Sequence, residues 1–297
     1  IGTFKKGLCY YNKSIIKFPL YHHKLSDPNS LSYNDINRFL EDEKGNIWIG
    51  TNVGGLLYFN RKTGKFIKYS HNPSNDNSLS NDVVVSLCLD HNNILWIGTY
   101  FGGLDRFDGK NFTHYRHSNT DSSSISDNAI WSIMEDSQQR LWIGTFSSGL
   151  DRYEKSSNTF QHFKATGYHS VHSSYVCDLL EAKNGDIWIA TSNGIDVFEK
   201  KTGDFSLYYH HNAAKPLSSL SNDNTIALLQ DSRGLIWVAT RDGLNYYDPA
   251  KDQFNTLRKE DGLPDNIIVS IVEDQQHNIW AGTPNGLSNV IVSKDNE

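Results

Sequence analysis

Leu141-Trp142-Ile143-Gly144-Thr145, with Gly149-Leu150-Asp151-Arg152-Tyr153 close behind, decides the reading of this chain because it recurs. Ile47-Trp48-Ile49-Gly50-Thr51 leads to Gly55-Leu56, and Leu95-Trp96-Ile97-Gly98-Thr99 leads to Gly103-Leu104. Ile187-Trp188-Ile189-Ala190-Thr191 leads to Gly194-Ile195, and Ile236-Trp237-Val238-Ala239-Thr240 to Gly243-Leu244. Ile279-Trp280-Ala281-Gly282-Thr283 leads to Gly286-Leu287, and the chain opens on the tail of a further copy, Ile1-Gly2-Thr3 with Gly7-Leu8. From Trp48 to Trp280 the tryptophans of this repeated block fall 43 to 49 residues apart. A period in this range is the mark of solenoids, arrays and propellers.

Residues 80–117 show what one copy is. Ser80-Asn81-Asp82 is a turn cluster, and Val83 to Leu89 is an apolar, β-branched run that reads as a strand buried on both faces. His91-Asn92-Asn93 turns the chain into a second strand, Leu95 to Thr99, which Gly102-Gly103 ends. Leu104 to Phe107 is a third strand, Asp108-Gly109-Lys110 is a hairpin signal, and Phe112 to Tyr115 is a short, half-exposed fourth strand. Four antiparallel strands, the first most buried and the last least, describe a propeller blade. Helical periodicity appears nowhere over a useful length.

The expected fold is therefore all-β, a β-propeller of four-stranded antiparallel blades. Full blades are expected at 34–69, 81–115, 127–163, 174–208 and 223–257, with a partial blade at 1–22 and a partial last blade at 266–293. Five full and two partial blades predict seven in all; six is the alternative, if the two ends merge into one. A chain of 297 residues is one large domain or two ordinary ones, and the repeat favours one, 1–297. Because it opens in mid-repeat, the chain reads as a fragment of something longer. No apolar run reaches the length of a membrane span. The net charge of −6 gives no basic footprint, so no nucleic acid is expected as a partner. Cys9, Cys88 and Cys177 are odd in number and widely spaced, which does not suit a disulfide framework. Cys88 and Cys177 lie in apolar strand patterns and read as small core residues.

The repeat as a whole joins an apolar-Trp-Ile-Gly-Thr block, Gly-Leu-x-Arg-Phe/Tyr, Phe-x-x-Tyr and an Asn/Ser-rich loop ending Ser-Leu-Ser-x-Asp. Phe66-Ile67-Lys68-Tyr69 with Asn75-Asp76-Asn77-Ser78-Leu79-Ser80-Asn81-Asp82 shows the last part. This pattern resembles the two-component regulator propeller repeat over essentially the whole chain. The resemblance implies the extracytoplasmic sensor of a Bacteroidetes hybrid two-component system. It further implies a periplasmic location, a glycan fragment or other small polar ligand, and a homodimer formed through the full-length receptor. Membrane contact would be made only by segments absent from this chain.

The residues themselves suggest binding rather than chemistry, and the expected protein is not an enzyme. The repeated tryptophans sit mid-strand at one place per copy, where a large ring fills the space between neighbouring blades. His23, His71, His117 and His210 each follow a tyrosine by two residues. Outer strands of different blades cannot share one ion, so these histidines are expected to tie down loops by hydrogen bonds and not to bind metal. Glu41-Asp42, Glu135-Asp136 and Glu273-Asp274 recur at the first tight turn, where Asp caps its own backbone. No His-Glu-x-x-His, Cys-x-x-Cys or phosphate-cradling loop is present, so no metal or cofactor is expected. A glycosidase would break the repeat at one place to bring two carboxylates together.

Function tends to sit on variable loops held by a rigid scaffold. The second-to-third-strand loops are irregular: Phe4-Lys5-Lys6, Asn52-Val53, Tyr100-Phe101, Phe146-Ser147-Ser148, Ser192-Asn193, Arg241-Asp242 and Pro284-Asn285. On the first strands, Arg38 and Asp178 stand where Ser86, Ser132, Ala227 and Ser270 stand elsewhere. One position earlier, Trp131 replaces Asn37, Val85, Cys177, Ile226 and Val269. Departures from a repeat are where function hides. Tyr100, Phe101, Phe146, Arg38, Asp178, Trp131 and Arg241 are the expected ligand-binding residues. The aromatics would stack on sugar C–H faces and the charged groups would meet hydroxyls. The competing readings are a scaffold or dimerisation propeller with the ligand bound elsewhere in the receptor, and a propeller lyase or glycosidase.

Overall fold

The computed structural model describes residues 2–3, 7–9, 20–166 and 168–291; of these, the side chains before residue 20 and that of Leu217 are not described. The loop Phe4-Lys5-Lys6, the strand residues Phe18-Pro19 and the last strand residue Val292 therefore lie outside the described residues, as does the side chain of Cys9. Five sheets have four strands each. The first joins β4 (Ile36–Glu41), β5 (Ile47–Thr51), β6 (Leu56–Asn60) and β7 (Lys65–Tyr69). The second joins β8 (Val84–Leu89), β9 (Leu95–Thr99), β10 (Leu104–Phe107) and β11 (Phe112–Tyr115). The third joins β12 (Ile130–Glu135), β13 (Leu141–Thr145), β14 (Leu150–Glu154) and β15 (Thr159–Phe163). The fourth joins β16 (Val176–Glu181), β17 (Ile187–Thr191), β18 (Gly194–Glu199) and β19 (Asp204–Tyr209). The fifth joins β20 (Thr225–Gln230), β21 (Ile236–Thr240), β22 (Gly243–Asp248) and β23 (Gln253–Leu257). Before them lies a sheet of three short strands, β1 (Gly2–Thr3), β2 (Gly7–Cys9) and β3 (Leu20–Tyr21). After them comes a three-stranded sheet, β24 (Ser270–Glu273), β25 (Ile279–Thr283) and β26 (Gly286–Val290).

The chain is thus an all-β propeller of antiparallel, sequentially connected four-stranded blades. Six sheets carry the repeated tryptophan, the smaller of the two blade numbers that the repeat allows, where seven was the first expectation. The opening sheet has no described first strand and its strands are only two or three residues long. The chain divides into two compact units, Ile1–Thr145 with Asp151–His162, and Phe146–Leu150 with Phe163–Glu297.

Within each unit the core lies between successive sheets. In the first, Trp96 packs with Ile125, Ile130, Ile133, Leu141 and Phe160 from the next copy. Its ring lies 5.4 Å from Tyr153, as that of Trp48 lies 6.1 Å from Phe107. In the second, Trp188 lies 5.3 Å from Tyr247. These three tryptophans therefore bear on the third strand of the following sheet, which is the core role their repetition suggested. Trp96, Trp142, Trp188 and Trp237 are buried, but Trp48 and Trp280 are only half-buried. Trp48 pairs with Leu40 on β4, whose Asn37, Arg38 and Phe39 are exposed where other first strands are mostly covered. Trp280 sits in the three-stranded sheet, which has no fourth strand among the described residues.

The Gly of the Trp-x-Gly-Thr block marks the closest approach of two sheets. A Cβ on Gly98 would lie 2.1 Å from Ser86 Oγ and 2.8 Å from Ile130 Cγ2 on the next first strand. Every first strand from β4 to β20 also carries a bulge at one position: Asn37, Val85, Trp131, Cys177 and Ile226 each fall between two register-shifted pairs. A bulge re-aims the extra side chain, so the position that Trp131 occupies differs from its neighbours in backbone as well as in sequence.

Candidate functional site

The Trp strands β5, β9, β13, β17, β21 and β25 have one largely constant end and one variable end. At the constant end an Asp opens the tight turn in every copy but that of β17. Asp136 Oδ1 accepts the backbone N–H of Gln138 and Arg140, both at 2.9 Å, as turn chemistry predicts. Its other oxygen has a second task, because Oδ2 accepts the Trp142 indole N–H at 2.8 Å. Asp90, Asp231 and Asp274 take the indoles of Trp96, Trp237 and Trp280 at 3.0, 2.9 and 2.8 Å. The indole bond and the turn N–H groups hold the Asp274 carboxyl down to about 2. Burial would raise the Asp231 carboxyl, but Trp237, Arg233 and the Leu235 N–H outweigh it and hold it low. Two copies depart. Asp42 accepts Tyr58 O–H instead, at 2.8 Å, and Ala182 replaces the Asp beside Trp188.

The neighbouring glutamates are structural too. Glu135 accepts the backbone N–H of His91 and meets its ring Nδ1, both at 2.7 Å, and Glu273 accepts the Ser232 O–H at 2.6 Å. Each joins its sheet to the preceding turn. Among the described residues no three His, Cys, Asp or Glu side chains are grouped to hold a metal ion.

At the variable end the strand's Thr closes the loop. Thr99 Oγ1 donates to Gly103 O and accepts the Gly102 N–H, both at 2.9 Å. Thr51, Thr191, Thr240 and Thr283 donate to Gly55, Gly194, Gly243 and Gly286 in the same way at 2.8–2.9 Å. The loop base is fixed while its contents vary. In the first unit the variable residues Tyr100 and Phe101 meet edge to face, with ring centroids 4.3 Å apart. Tyr100 in turn stands edge to face with Trp131 at 6.2 Å, and its N–H donates to Val83 O at 3.0 Å. Phe101 is left 67% exposed on this support. An apolar ring this exposed gains little from burial, which separates it from the core aromatics of the same sheet.

The expected site residues divide between the two units. Tyr100, Phe101 and Trp131 come together in the first, and Arg38 is exposed on β4 opposite Gly50. In the second, Phe146 packs on Tyr175 at 4.9 Å. Asp178 Oδ2 accepts the Leu228 N–H at 2.9 Å, so it ties β16 to β20. Arg241 is exposed. Burial pushes the Cys177 thiol up to about 12, with Asp178 adding to the rise and Tyr175 and Arg241 opposing it. Cys88 is likewise pushed up by burial, to about 11, so both thiols are inert core groups.

The histidine column ties loops as its spacing suggested, with one correction. Nδ1 of His23, His71 and His117 lies 2.7, 2.8 and 3.0 Å from the carbonyls of Leu31, Leu79 and Ile125. The fourth member is His211, 2.9 Å from Leu220 O, and not His210. An irregularity in the pairing of β18 with β19 puts one extra residue into β19, so Tyr209, not Tyr208, is the equivalent tyrosine. His210 instead stacks on Tyr208, which also stacks on His172 at 3.8 Å. A cavity of about 200 Å³ lies against this stack, lined by Tyr208, His210, Asn212, Lys215, Ser218 and Ser219 among others. A further set was missed altogether. Asp105 and Asp151 are fully buried and each pairs with a histidine of the adjacent outer strand, His114 at 2.6 Å and His162 at 2.7 Å. Both Asp residues also accept a loop N–H, from Ser80 and Ser126. The signal was there as Asp in the third strand with His nine or eleven residues on.

The two-component regulator propeller family matches this chain in six segments, 30–53, 78–101, 124–147, 170–193, 219–242 and 262–285. Each segment runs from the end of the loop before a first strand to the variable loop after the Trp strand. The chain belongs to that family. Among solved structures it is similar to the extracellular domain of a candidate hybrid two component system, BT3049 of B. thetaiotaomicron. The identity is 24%, the TM-score 0.80, and the match covers 95% of this chain and 37% of that one. The corresponding domain of BT4673 from the same organism is 20% identical with a TM-score of 0.59, over 98% of this chain and 45% of that one. The chain thus spans less than half the length of either. Virginiamycin B lyase from Staphylococcus aureus is 13% identical with a TM-score of 0.62, over 88% and 85%. At these identities the likeness shows the shared fold. No curated protein matches the sequence.

Proposed function

We propose that this chain is a non-enzymatic, extracytoplasmic ligand-binding propeller of a hybrid two-component sensor, and that its ligand is a glycan fragment. The observation that carries the reading is Phe101, an exposed ring held on Tyr100, which itself stands against Trp131, at the more variable end of the repeat. Sugars present apolar C–H faces that stack on such rings and hydroxyls that need polar partners. Membership in the two-component regulator propeller family supports the sensor role, and the likeness to extracellular domains supports an extracytoplasmic location. The repeated carboxylates are absorbed by turn N–H groups, indoles and neighbouring turns, which weighs against glycosidase chemistry. Thermal-shift measurement against a panel of neutral oligosaccharides tests the proposal. A glycan that binds the native state raises the melting temperature by mass action. No shift with any member at millimolar concentration would remove the glycan reading. A docking propeller is the second reading, favoured by the exposed Val272 and Leu287 on the three-stranded sheet.

A further inference from the structure

His114 lies in a setting where both ring nitrogens face groups that only accept. Nδ1 is 2.6 Å from Asp105 Oδ1, and Nε2 is 2.8 Å from the carbonyl of Asp76. A neutral imidazole has one N–H donor and one lone pair, so it satisfies only one of these contacts; the imidazolium donates to both. Asp105 is fully buried and is held from the far side by the Ser80 N–H at 2.8 Å. The two residues that His114 joins are therefore the buried third strand of its own sheet and the middle of the 70–82 connection. That connection lies along the open edge of β11. Asn77 Oδ1 accepts the Phe112 N–H at 2.8 Å, and its amide reaches Lys110 O at 3.4 Å. His162 repeats the arrangement in the next copy, between Asp151 and the carbonyl of Ser122 at 3.0 Å.

We infer that His114 is a pH-sensitive clasp: its imidazolium form fastens the 70–82 connection to the edge of β11, and its neutral form lets that connection open. The charged residues around the ring are Asp105 on β10, Asp76 on the connection and Arg116 just past β11. The hydrogen bond that His114 donates to Asp105 dominates and raises the pKa of His114, desolvation opposes it, the Asp76 carbonyl adds to the rise, and Arg116 takes back part. The Phe112 ring lies parallel to that of His114, with centroids 6.4 Å apart, and carries no charge. With the folded pKa above the unfolded one, the clasp contributes fully below the unfolded value and is lost as pH rises through the folded one. The connection is followed by Val83, whose carbonyl holds the Tyr100 N–H. The inference does not depend on the ligand, because it concerns the unliganded chain.

The test is NMR on the chain as it stands. His114 should titrate with a midpoint above the unperturbed value of about 6.5. Hydrogen-exchange protection factors of the Ser80 and Phe112 amides should fall as pH passes that midpoint. The fall should be about tenfold for each pKa unit separating folded from unfolded His114. In His114→Gln, protection of these amides should be low already in acid and independent of pH. The inference is overturned if His114 in the wild-type chain titrates at or below about 6.5, or if protection at Ser80 and Phe112 does not change through the His114 midpoint. Both wild-type readouts stand even if the variant does not fold.

Discussion

The two ends of a single strand, Leu95–Thr99, are built on opposite plans. Where it begins, Asp90 holds the turn backbone with one oxygen and the Trp96 indole with the other, and four copies share that bond. Where it ends, Thr99 fixes the loop base and leaves Tyr100 and Phe101 to differ from every other copy. The first end spends its polar atoms on the fold. The second confines variation to side chains beyond a fixed base, which is how a repeat scaffold carries a specific surface without loss of stability.

If that contrast is right, substitutions at the two ends differ in kind. The largest effect falls on the core ring itself. Trp142→Ala, at a fully buried site, should cost about 3–5 kcal/mol in urea unfolding, as large-to-small core changes do. Next comes its acceptor. Asp231→Ala leaves the buried Trp237 indole and the Leu235 N–H without their partner, and should cost about 1.5–3 kcal/mol. Because the folded Asp231 carboxyl is held low, its contribution is present above the unfolded pKa of about 3.9 and is lost as pH falls. Acid titration of stability should therefore be shallower in the variant. Thr99→Val removes a donor and an acceptor from a fully buried hydroxyl, and should cost about 1–2 kcal/mol. It should also loosen the Tyr100–Gly103 amides in hydrogen exchange. Phe101→Ala, at an exposed position, should change stability by less than about 0.5 kcal/mol. A stability loss at Phe101 comparable to that at Trp142 would erase the distinction between the two ends.

The repeat made the scaffold legible. Strand order, sheet membership and the interior role of most tryptophans follow from a pattern seen six times, because each copy faces the same packing problem. What escaped was set by partners distant in sequence or by single-residue irregularities. The four indole acceptors lie six residues before their Trp, and the two of them that the sequence singled out, Asp136 and Asp274, were read only as turn residues. The extra residue in β19 moved the loop-tying role from His210 to His211, which tyrosine spacing alone misassigned in a Tyr208-Tyr209 pair. The exposure of Arg38 and Phe39 depends on what covers β4, which no local pattern states. Of the candidate site, Tyr100, Phe101 and Trp131 stood out as departures from the repeat, and they do meet. Asp178 stood out for the same reason, yet it ties two strands together. A departure from a repeat marks a position with its own partner, and that partner is as often the fold as a ligand.

The central claim is that the variable end of the repeat binds a glycan through Phe101. Isothermal titration calorimetry of the wild-type chain and of Phe101→Ala, against an oligosaccharide that raises the wild-type melting temperature, tests it most directly. The account predicts that the variant stays folded with an unchanged melting temperature in the absence of sugar, and that its affinity falls about tenfold or more, as loss of a stacking ring does. Unchanged affinity in the folded variant would contradict it.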